Sequence, residues 1–137
     1  MEFFSTFGGS TLSCAVGREV LRVVEDEGLQ EQSRAVGAFM IDELRKLQNN
    51  HALIGDVRGR GLFLGVELVK DRASLEPATA VTSYIVNRFR DHRILIGSEG
   101  KHDNILKIRP PLCFTMEDAS LMIERLAGIL GEEGCRV

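Results

Sequence analysis

Apolar residues recur every three or four positions in four stretches of the chain, which is the spacing of one face of an α-helix. The first stretch follows Gly8-Gly9 and ends near Gly28, and the second ends at the Asn49-Asn50-His51 turn. Thr115 and Asp118 form a sequence pair typical of a capping box at the start of the last helix. The predicted inward residues are Leu12, Val16, Val20, Val23 and Val24, then Leu29, Val36, Phe39, Met40, Leu44 and Leu47, then Val81, Tyr84, Ile85, Val86 and Phe89, and finally Met122, Leu126, Ile129 and Leu130.

The middle of the chain has a period of two, which is typical of β-strands. Apolar residues alternate with others from Leu62 to Leu68, and residues 54–57 are the expected antiparallel partner. Residues 58–61 lie between the two as a tight connection. Residues 70–78 are polar and contain a proline, so they predict a loop.

Two shorter strands are expected at residues 94–96 and 105–108, joined by a polar loop. Pro110-Pro111 ends the second of them, because proline lacks the N–H that a strand ladder needs. Helices therefore alternate with strand pairs along the chain. This order predicts an α+β fold with an antiparallel or mixed sheet and helices on one face.

The composition is that of one globular domain: 137 residues, of which 44% are hydrophobic and 27% charged. The net charge is −3 and the 17 Lys and Arg residues are scattered, so nucleic acid and anionic membranes are not expected partners. No apolar run reaches the roughly 20 residues that span a bilayer, and the first ten residues do not form a signal peptide. The cytosol is the expected compartment, although a targeting sequence upstream would escape this test.

The cysteines and histidines do not form a chemical site in the sequence. Cys14, Cys113 and Cys135 are far apart, which favours free thiols over a disulfide frame or a zinc site. Cys14 and Cys113 have apolar neighbours and are expected in the core. The histidines fall in polar loops or helix ends. We therefore predict no catalytic residue and no metal ligand in this chain.

The segment Ser5-Thr6-Phe7-Gly8-Gly9-Ser10 stands directly ahead of the first predicted helix. Hydroxyls, glycines and the free N–H groups of a helix start suit a phosphate group. The alternative is an ordinary glycine-rich helix start with a Ser or Thr cap, which is the commoner role of such a segment.

Two other features carry charge or glycine in a notable pattern. Gly59-Arg60-Gly61 with Gly65 superficially resembles a dinucleotide fingerprint, but it leads into a strand rather than from a strand into a helix. A turn with positive φ is expected instead. Lys107 and Arg109 share one face of a predicted strand and suit a carboxylate or phosphate, while a solvated strand face is the alternative.

Taken in order, three segments resemble the C-terminal part of class III aminotransferases: residues 5–10, 14–17 and 55–67. The resemblance implies the small α+β domain of the aspartate-aminotransferase fold (fold type I) and a homodimer that uses pyridoxal 5′-phosphate (PLP). Residues 1–10 would end the large PLP domain, and residues 11–137 would form the interdomain helix and the small domain. The resemblance also implies that Thr6, with Ser5 beside it, contacts the PLP phosphate of the neighbouring subunit.

The family's Schiff-base lysine and the aspartate that pairs with the pyridine nitrogen lie upstream of the segment that Ser5 opens here. PLP chemistry needs both groups, the lysine to carry the cofactor and the acid to make its ring an electron sink. We therefore expect no aminotransferase activity from this chain alone.

The resemblance includes the segment that binds the substrate carboxylate in the family, but residues of that segment differ here. Many members hold the substrate carboxylate with an arginine in a pattern like Arg-Phe-Ala-Pro-Pro; here Lys107 occupies that position and Arg109 replaces the alanine. Residues 106–114, 69–71 and 76–79 are similar to the phospho-lyase branch, which acts on ethanolamine phosphate or phosphohydroxylysine. Those enzymes eliminate phosphate instead of transferring the amino group. The resemblance thus implies an aminotransferase, with a phospho-lyase as the alternative.

Two readings from other classes remain open on the residues alone. The chain would be a stand-alone α+β binding or assembly module if the glycine-rich segment is only a helix start. It would be a regulatory domain for a small anion if Lys107 and Arg109 bind a ligand without an enzyme. A reading frame that continues upstream into a lysine-bearing PLP domain would favour the enzyme.

Overall fold

The computed structural model describes residues 4–136, and two consecutive helices open it. Helix α1 spans Thr11–Asp26 and helix α2 spans Leu29–Asn50. Gly28 between them has a φ of 61°, in the left-handed region that glycine adopts without strain. Both predicted helices are confirmed. Residues 1–3, which belong to the predicted end of the large domain, and the last residue of the chain lie outside the described residues.

An antiparallel sheet follows the two helices. Strand β1, Ile54–Arg60, pairs with β2, Phe63–Asp71, and β5, Ile105–Ile108, pairs along the other edge of β2. Strand β4, Gly97–Glu99, completes the order β1-β2-β5-β4. The two-residue strand β3, Glu76–Pro77, pairs with the end of β2. All these pairings are antiparallel, which settles the choice left open between an antiparallel and a mixed sheet.

Three boundaries differ from the sequence prediction. Residues 58–60 continue β1, so the connection to β2 is only two residues long. The predicted 70–78 loop is a short return, because β2 runs on and β3 pairs back against it. The strand expected at 94–96 begins at Gly97 instead. Ile94 donates its N–H to the carbonyl of Phe89, so this apolar stretch is held to the end of a helix rather than to a strand.

Two further helices cover the sheet. Helix α3 spans Thr79–Asp91 and helix α4 spans Met116–Leu130, with a short 3-10 turn after it. The capping box is present as predicted: the Thr115 hydroxyl accepts from the Asp118 N–H at 3.1 Å, and the Asp118 carboxylate accepts from the Thr115 N–H at 3.0 Å. The order of elements confirms the α+β prediction.

The core lies between one face of the sheet and helices α2, α3 and α4. Alternate residues of β2 and β5 point into it, and the residues between them form what we call the open face, the face of the sheet opposite the helices. Buried residues include Met40, Leu44, Leu64, Val66, Leu68, Ile85, Phe89, Leu106, Ile108, Leu126 and Ile129.

Helix α1 departs from the expected packing. Its apolar stripe was predicted to face inward, but Leu12 is 75% exposed, Val16 56% and Val20 55%, and no residue of the helix is buried. The predicted helix itself is correct. The spacing of apolar residues indicates which residues share a face of the helix, but not whether other residues cover that face. Among residues 4–136, no helix combines the length and the apolarity needed to cross a bilayer.

The cysteines are free thiols, as expected, but two of their positions were predicted wrongly. Cys14 on α1 and Cys113 after the proline pair are exposed, whereas Cys135 is buried. Cys14 is exposed because the whole of α1 is uncovered. Apolar neighbours in the sequence therefore did not indicate a buried position for either residue.

Candidate functional site

The segment before α1 is a hydrogen-bonded turn that leads into the helix. The Ser5 hydroxyl accepts a hydrogen bond from the Gly8 N–H at 3.0 Å, and the Ser10 N–H bonds the Phe7 carbonyl at 3.3 Å. Gly9 has a φ of 78°, a conformation that a side chain would disfavour. The glycines thus let the chain turn tightly from Ser5 into the helix.

The start of α1 is not capped by a side chain. Ser10 holds the N-cap position, but its hydroxyl makes no capping bond, and the first turn carries no acidic residue. The first N–H groups of a helix point outward and carry partial positive charge. Ser5 and Thr6 are exposed beside this end, and the Thr6 hydroxyl has no hydrogen-bond partner among the described residues. Two hydroxyls and uncapped amides form a donor set that fits a phosphate group.

The glycines around residue 60 form a turn between two strands, as predicted, and not the strand-to-helix turn of a dinucleotide fingerprint. Gly61 has a φ of 54°, and the connection joins β1 to β2. A Cβ on Gly59 would lie 2.5 Å from the Phe63 carbonyl oxygen, so glycine is required there by the close approach of the two strands. A Cβ on Gly37 of α2 would lie 2.1 Å from the Gly61 carbonyl oxygen, which shows how tightly the helix packs on the turn.

One register row crosses the open face and contains Lys107. In this row Arg58 of β1 lies opposite Gly65 of β2, Gly65 opposite Lys107 of β5, and Lys107 opposite Gly97 of β4. Lys107 is therefore flanked on both sides by residues that have no side chain. The two glycines leave a shallow trough around the ammonium group, since neighbouring side chains in a row otherwise stand about 5 Å apart and touch.

Lys107 lies on β5, and Arg109 follows directly after the strand. Leu106 and Ile108 are buried on the face of the strand opposite Lys107. Both cations line a cleft of about 410 Å³, whose apolar wall includes Phe114. Arg109 forms no ion pair with any residue in the described part of the chain.

Lys107 does have a partner that the sequence did not predict. Its Nζ lies 2.8 Å from Oε1 of Glu99, and the Lys107 side chain is 29% exposed against 55% for Glu99. Glu99 stands diagonally opposite Lys107 because it is two residues beyond Gly97 on β4. The sequence does not reveal this pair, because residues 94–96 predict the strand too early and the pair depends on the register of β4 against β5.

A second cleft, of about 510 Å³, lies on the other side of Lys107 and includes Glu99, Phe63 and Arg60. Arg58 also lines it, but its guanidinium contacts Asp56 at 2.5 Å and Glu67 at 2.8 Å. The hydrogen bonds that Arg58 donates to Asp56 and then Glu67 raise its pKa above the ordinary value, so its charge is permanent but locally neutralised.

The two groups of predicted site residues do not meet within this chain. Neither cleft beside Lys107 is lined by a residue from 5–10. Among residues 4–136, no group of three or more His, Cys, Asp or Glu side chains is placed to hold a metal ion. The chain thus presents a phosphate-type donor set at one helix end and a cationic trough on the sheet, each at a separate surface.

Comparison with known proteins relates the chain to one family. The model of the class-III aminotransferase family matches residues 2–130. The chain is 47% identical over 125 residues to alanine–glyoxylate aminotransferase 2 homolog 2, mitochondrial, from Arabidopsis thaliana, covering 91% of this chain and 26% of that protein. Three curated relatives are covered to 24–26% of their length, so the chain spans about a quarter of the proteins it matches.

Solved structures give the same result. A phospholyase from Arthrobacter in complex with phosphoethanolamine superposes with a TM-score of 0.88 at 36% identity, over 95% of this chain and 31% of that one. A PLP-bound amine transaminase from an uncultivated Pseudomonas species superposes with a TM-score of 0.79 at 30% identity, over 94% of this chain and 29% of that one. The fold class expected from the sequence is thereby confirmed.

Proposed function

Because the chain belongs to the class-III aminotransferase family, we propose that it is the C-terminal part of a PLP-dependent enzyme that acts on the amino group of a small substrate. In this proposal residues 1–10 end the large PLP domain, and residues 11–137 form the interdomain helix and the small domain. The exposed apolar stripe of α1 supports this division, because such a stripe is typical of a helix that packs against another domain. The proposed compartment is the cytosol; since the Arabidopsis relative is named as mitochondrial, cell fractionation decides between them.

The proposed role of the segment before α1 is to hold the cofactor phosphate. PLP, when bound, supplies an electron-withdrawing ring for chemistry at the carbon next to the substrate nitrogen. The Thr6 hydroxyl is free to donate to a phosphate oxygen, and the first N–H groups of α1 add partial positive charge. The hydrogen bond from the Gly8 N–H uses a lone pair of the Ser5 oxygen, so the Ser5 hydroxyl proton is still available to a phosphate oxygen. In the proposed homodimer these groups serve the cofactor of the neighbouring subunit.

The observation that carries the cofactor assignment is the exposed, unpartnered Thr6 hydroxyl beside an uncapped helix. In the full-length enzyme, Thr6→Ala should weaken PLP binding by about 1–2 kcal/mol, the value of one hydrogen bond to a charged group. Thr6→Ser keeps the hydroxyl and serves as the matched control. PLP titration of the apoenzymes measures the effect, and thermal unfolding measures stability. Unchanged PLP affinity with a lower melting temperature in Thr6→Ala would make Thr6 a structural residue and contradict the assignment.

The proposed role of Lys107 and Arg109 is to bind the anionic group of the substrate. Both line one cleft, and the glycine-flanked row leaves the ammonium of Lys107 accessible from above the sheet. These residues would orient the substrate by its anion, so that its amino group is presented to the cofactor. No residue of this chain is assigned a catalytic role in the proposal.

The reaction type is the open choice within this proposal, and phosphate elimination is the second candidate. Lysine at position 107 favours it, because an ammonium is a compact charge without the planar fork with which arginine grips a carboxylate. The superposition on a phospholyase with bound phosphoethanolamine supports it as well. The full-length enzyme should be assayed on ethanolamine phosphate and on α- and ω-amino acids. Phosphate release identifies a phospho-lyase; transamination without phosphate release identifies an aminotransferase.

A further inference from the structure

Glu99 holds the cation of the proposed anion site. Its carboxylate lies 2.8 Å from Nζ of Lys107, and both side chains stand on the open face. The ammonium of lysine has three N–H donors, so the bond to Glu99 leaves donors for a substrate oxygen. Glu99 lines the cleft that also contains Gly100, whose φ of 93° ends the strand immediately after it. The ion pair with Nζ places the carboxylate beside an anion that approaches Lys107.

The charge that an anion meets at this place is set by few groups. Lys107, Arg109 and Arg60 contribute three positive charges to the two clefts beside Lys107 and Glu99 contributes one negative charge, which leaves a net charge of two. Arg58, in the same register row, adds little because two carboxylates neutralise it. Removal of the Glu99 charge would therefore raise the net positive charge beside Lys107 from two to three.

We propose that Glu99 is a specificity-determining residue that stands beside Lys107 and repels doubly charged anions more than singly charged ones. The proposal rests on the proposed function, in which Lys107 faces the substrate. The energy between two charges is proportional to their product, so the repulsion from Glu99 is twice as large for a dianion as for a monoanion. Because free energy is proportional to the logarithm of the dissociation constant, a repulsion twice as large changes the dissociation constant by the square of the factor. Glu99 thus lowers the preference of the site for a phosphate relative to a carboxylate.

The test uses two small inhibitors of the full-length holoenzyme, acetate as the monoanion and methyl phosphate as the dianion. A phosphate monoester is mostly doubly charged at about pH 8, since its second pKa is near 6. In Glu99→Gln, the inhibition constant should fall about threefold for acetate and about tenfold for methyl phosphate, from a carboxylate roughly 5–6 Å away in solvent-exposed surroundings. Glu99→Asp keeps the charge and should stay near the wild-type ratio.

Glu76→Gln is the matched control for total charge. Glu76 pairs with Lys70 at 2.6 Å on the β2–β3 edge, away from both clefts. Glu76→Gln therefore changes the net charge of the protein by the same amount as Glu99→Gln. It should leave both inhibition constants unchanged. A thermal unfolding curve for each variant shows whether it is folded at the temperature of the inhibition measurements.

The outcomes separate this inference from the proposed function. If Lys107→Gln leaves both inhibition constants unchanged, Lys107 does not face the anion and the proposed substrate site is wrong. If Lys107→Gln weakens both inhibitors but Glu99→Gln changes neither, the substrate site stands and the role of Glu99 is refuted. The role of Glu99 is also refuted if Glu99→Gln changes the inhibition constants of acetate and methyl phosphate by the same factor. It is refuted as well if Glu76→Gln changes them as much as Glu99→Gln does.

Discussion

The guanidinium of Arg88 donates hydrogen bonds to both carboxylate oxygens of Glu132, each at 2.8 Å. Arg88 belongs to α3 and Glu132 follows α4, so this two-bond contact joins the segment after α4 to α3. The Tyr84 hydroxyl donates to the same carboxylate. Paired bonds between guanidinium and carboxylate are stronger and more directional than a single ion pair, so this contact should help to fix the position of α3 relative to α4.

The contact predicts a pH-dependent contribution to stability. Hydrogen bonds from Arg88 and then Tyr84 lower the pKa of Glu132 from 4.5 to about 2. The folded protein therefore prefers the carboxylate, and the stabilisation is complete above the ordinary pKa and lost as the pH falls through about 2. Glu132→Gln should lower the melting temperature near neutral pH, and the difference from wild type should shrink from pH 4.5 downward.

Glu133 is the control for this measurement, because it is exposed and forms no ion pair among residues 4–136. Glu133→Gln should change the melting temperature little at any pH. A Glu132→Gln difference that stays constant down to strongly acidic pH would show that the carboxylate charge is not the source of the stabilisation.

Two glycines inside helices allow a matched test of packing. A Cβ on Gly37 would lie 2.1 Å from the carbonyl oxygen of Gly61, whereas a Cβ on Gly17 meets nothing within 4 Å. Gly37→Ala should destabilise the chain by about 1–3 kcal/mol or more, since backbone must move to admit the methyl group. Gly17→Ala should stabilise it by about 0.5–1 kcal/mol, because alanine is the better helix former. Urea unfolding of both variants measures the difference, and equal effects would contradict the close contact.

Local periodicity was enough to predict elements whose pattern is contained in a few consecutive residues. The alternation from Leu62 to Leu68 marked β2 correctly, and the Thr115–Asp118 pair marked the start of α4. Both signals depend on interactions within a few residues. For such elements, the sequence pattern and the final structure report the same physical preference.

Features that depend on distant parts of the chain were not predictable in the same way. The stripe of α1 has helical spacing, but whether Val16 is covered depends on chain segments that the spacing does not describe. The place of Glu99 depends on the register of β4 against β5. A shift of one residue would move its side chain to the other face of the sheet. Lys107 could therefore be proposed for the site from the sequence, while its partner could not.

The three thiols should differ in reactivity in the folded 137-residue chain. Burial raises the pKa of Cys135 to about 11, and the residue is 6% exposed. Because the thiolate is the reactive form, Cys135 should resist iodoacetamide near neutral pH, while the exposed Cys14 and Cys113 react. Mass spectrometry of digested samples locates the modified residues. Addition of denaturant should make Cys135 reactive; labelling of Cys135 in the native chain as fast as Cys113 would argue against its burial.

The identity of the cation at position 107 should set the preferred anion of the full-length enzyme. Arginine presents a planar fork that matches a carboxylate with two parallel hydrogen bonds, and lysine does not. Lys107→Arg should therefore raise kcat/KM for a carboxylate substrate relative to a phosphate substrate, by roughly tenfold for one added charge-assisted hydrogen bond. Glu99 would compete for the same fork, since it already contacts Nζ of Lys107. The full preference is thus expected in Lys107→Arg combined with Glu99→Gln. Arg109→Lys is the reciprocal control, and a ratio that does not change in any of these variants would exclude position 107 from substrate recognition.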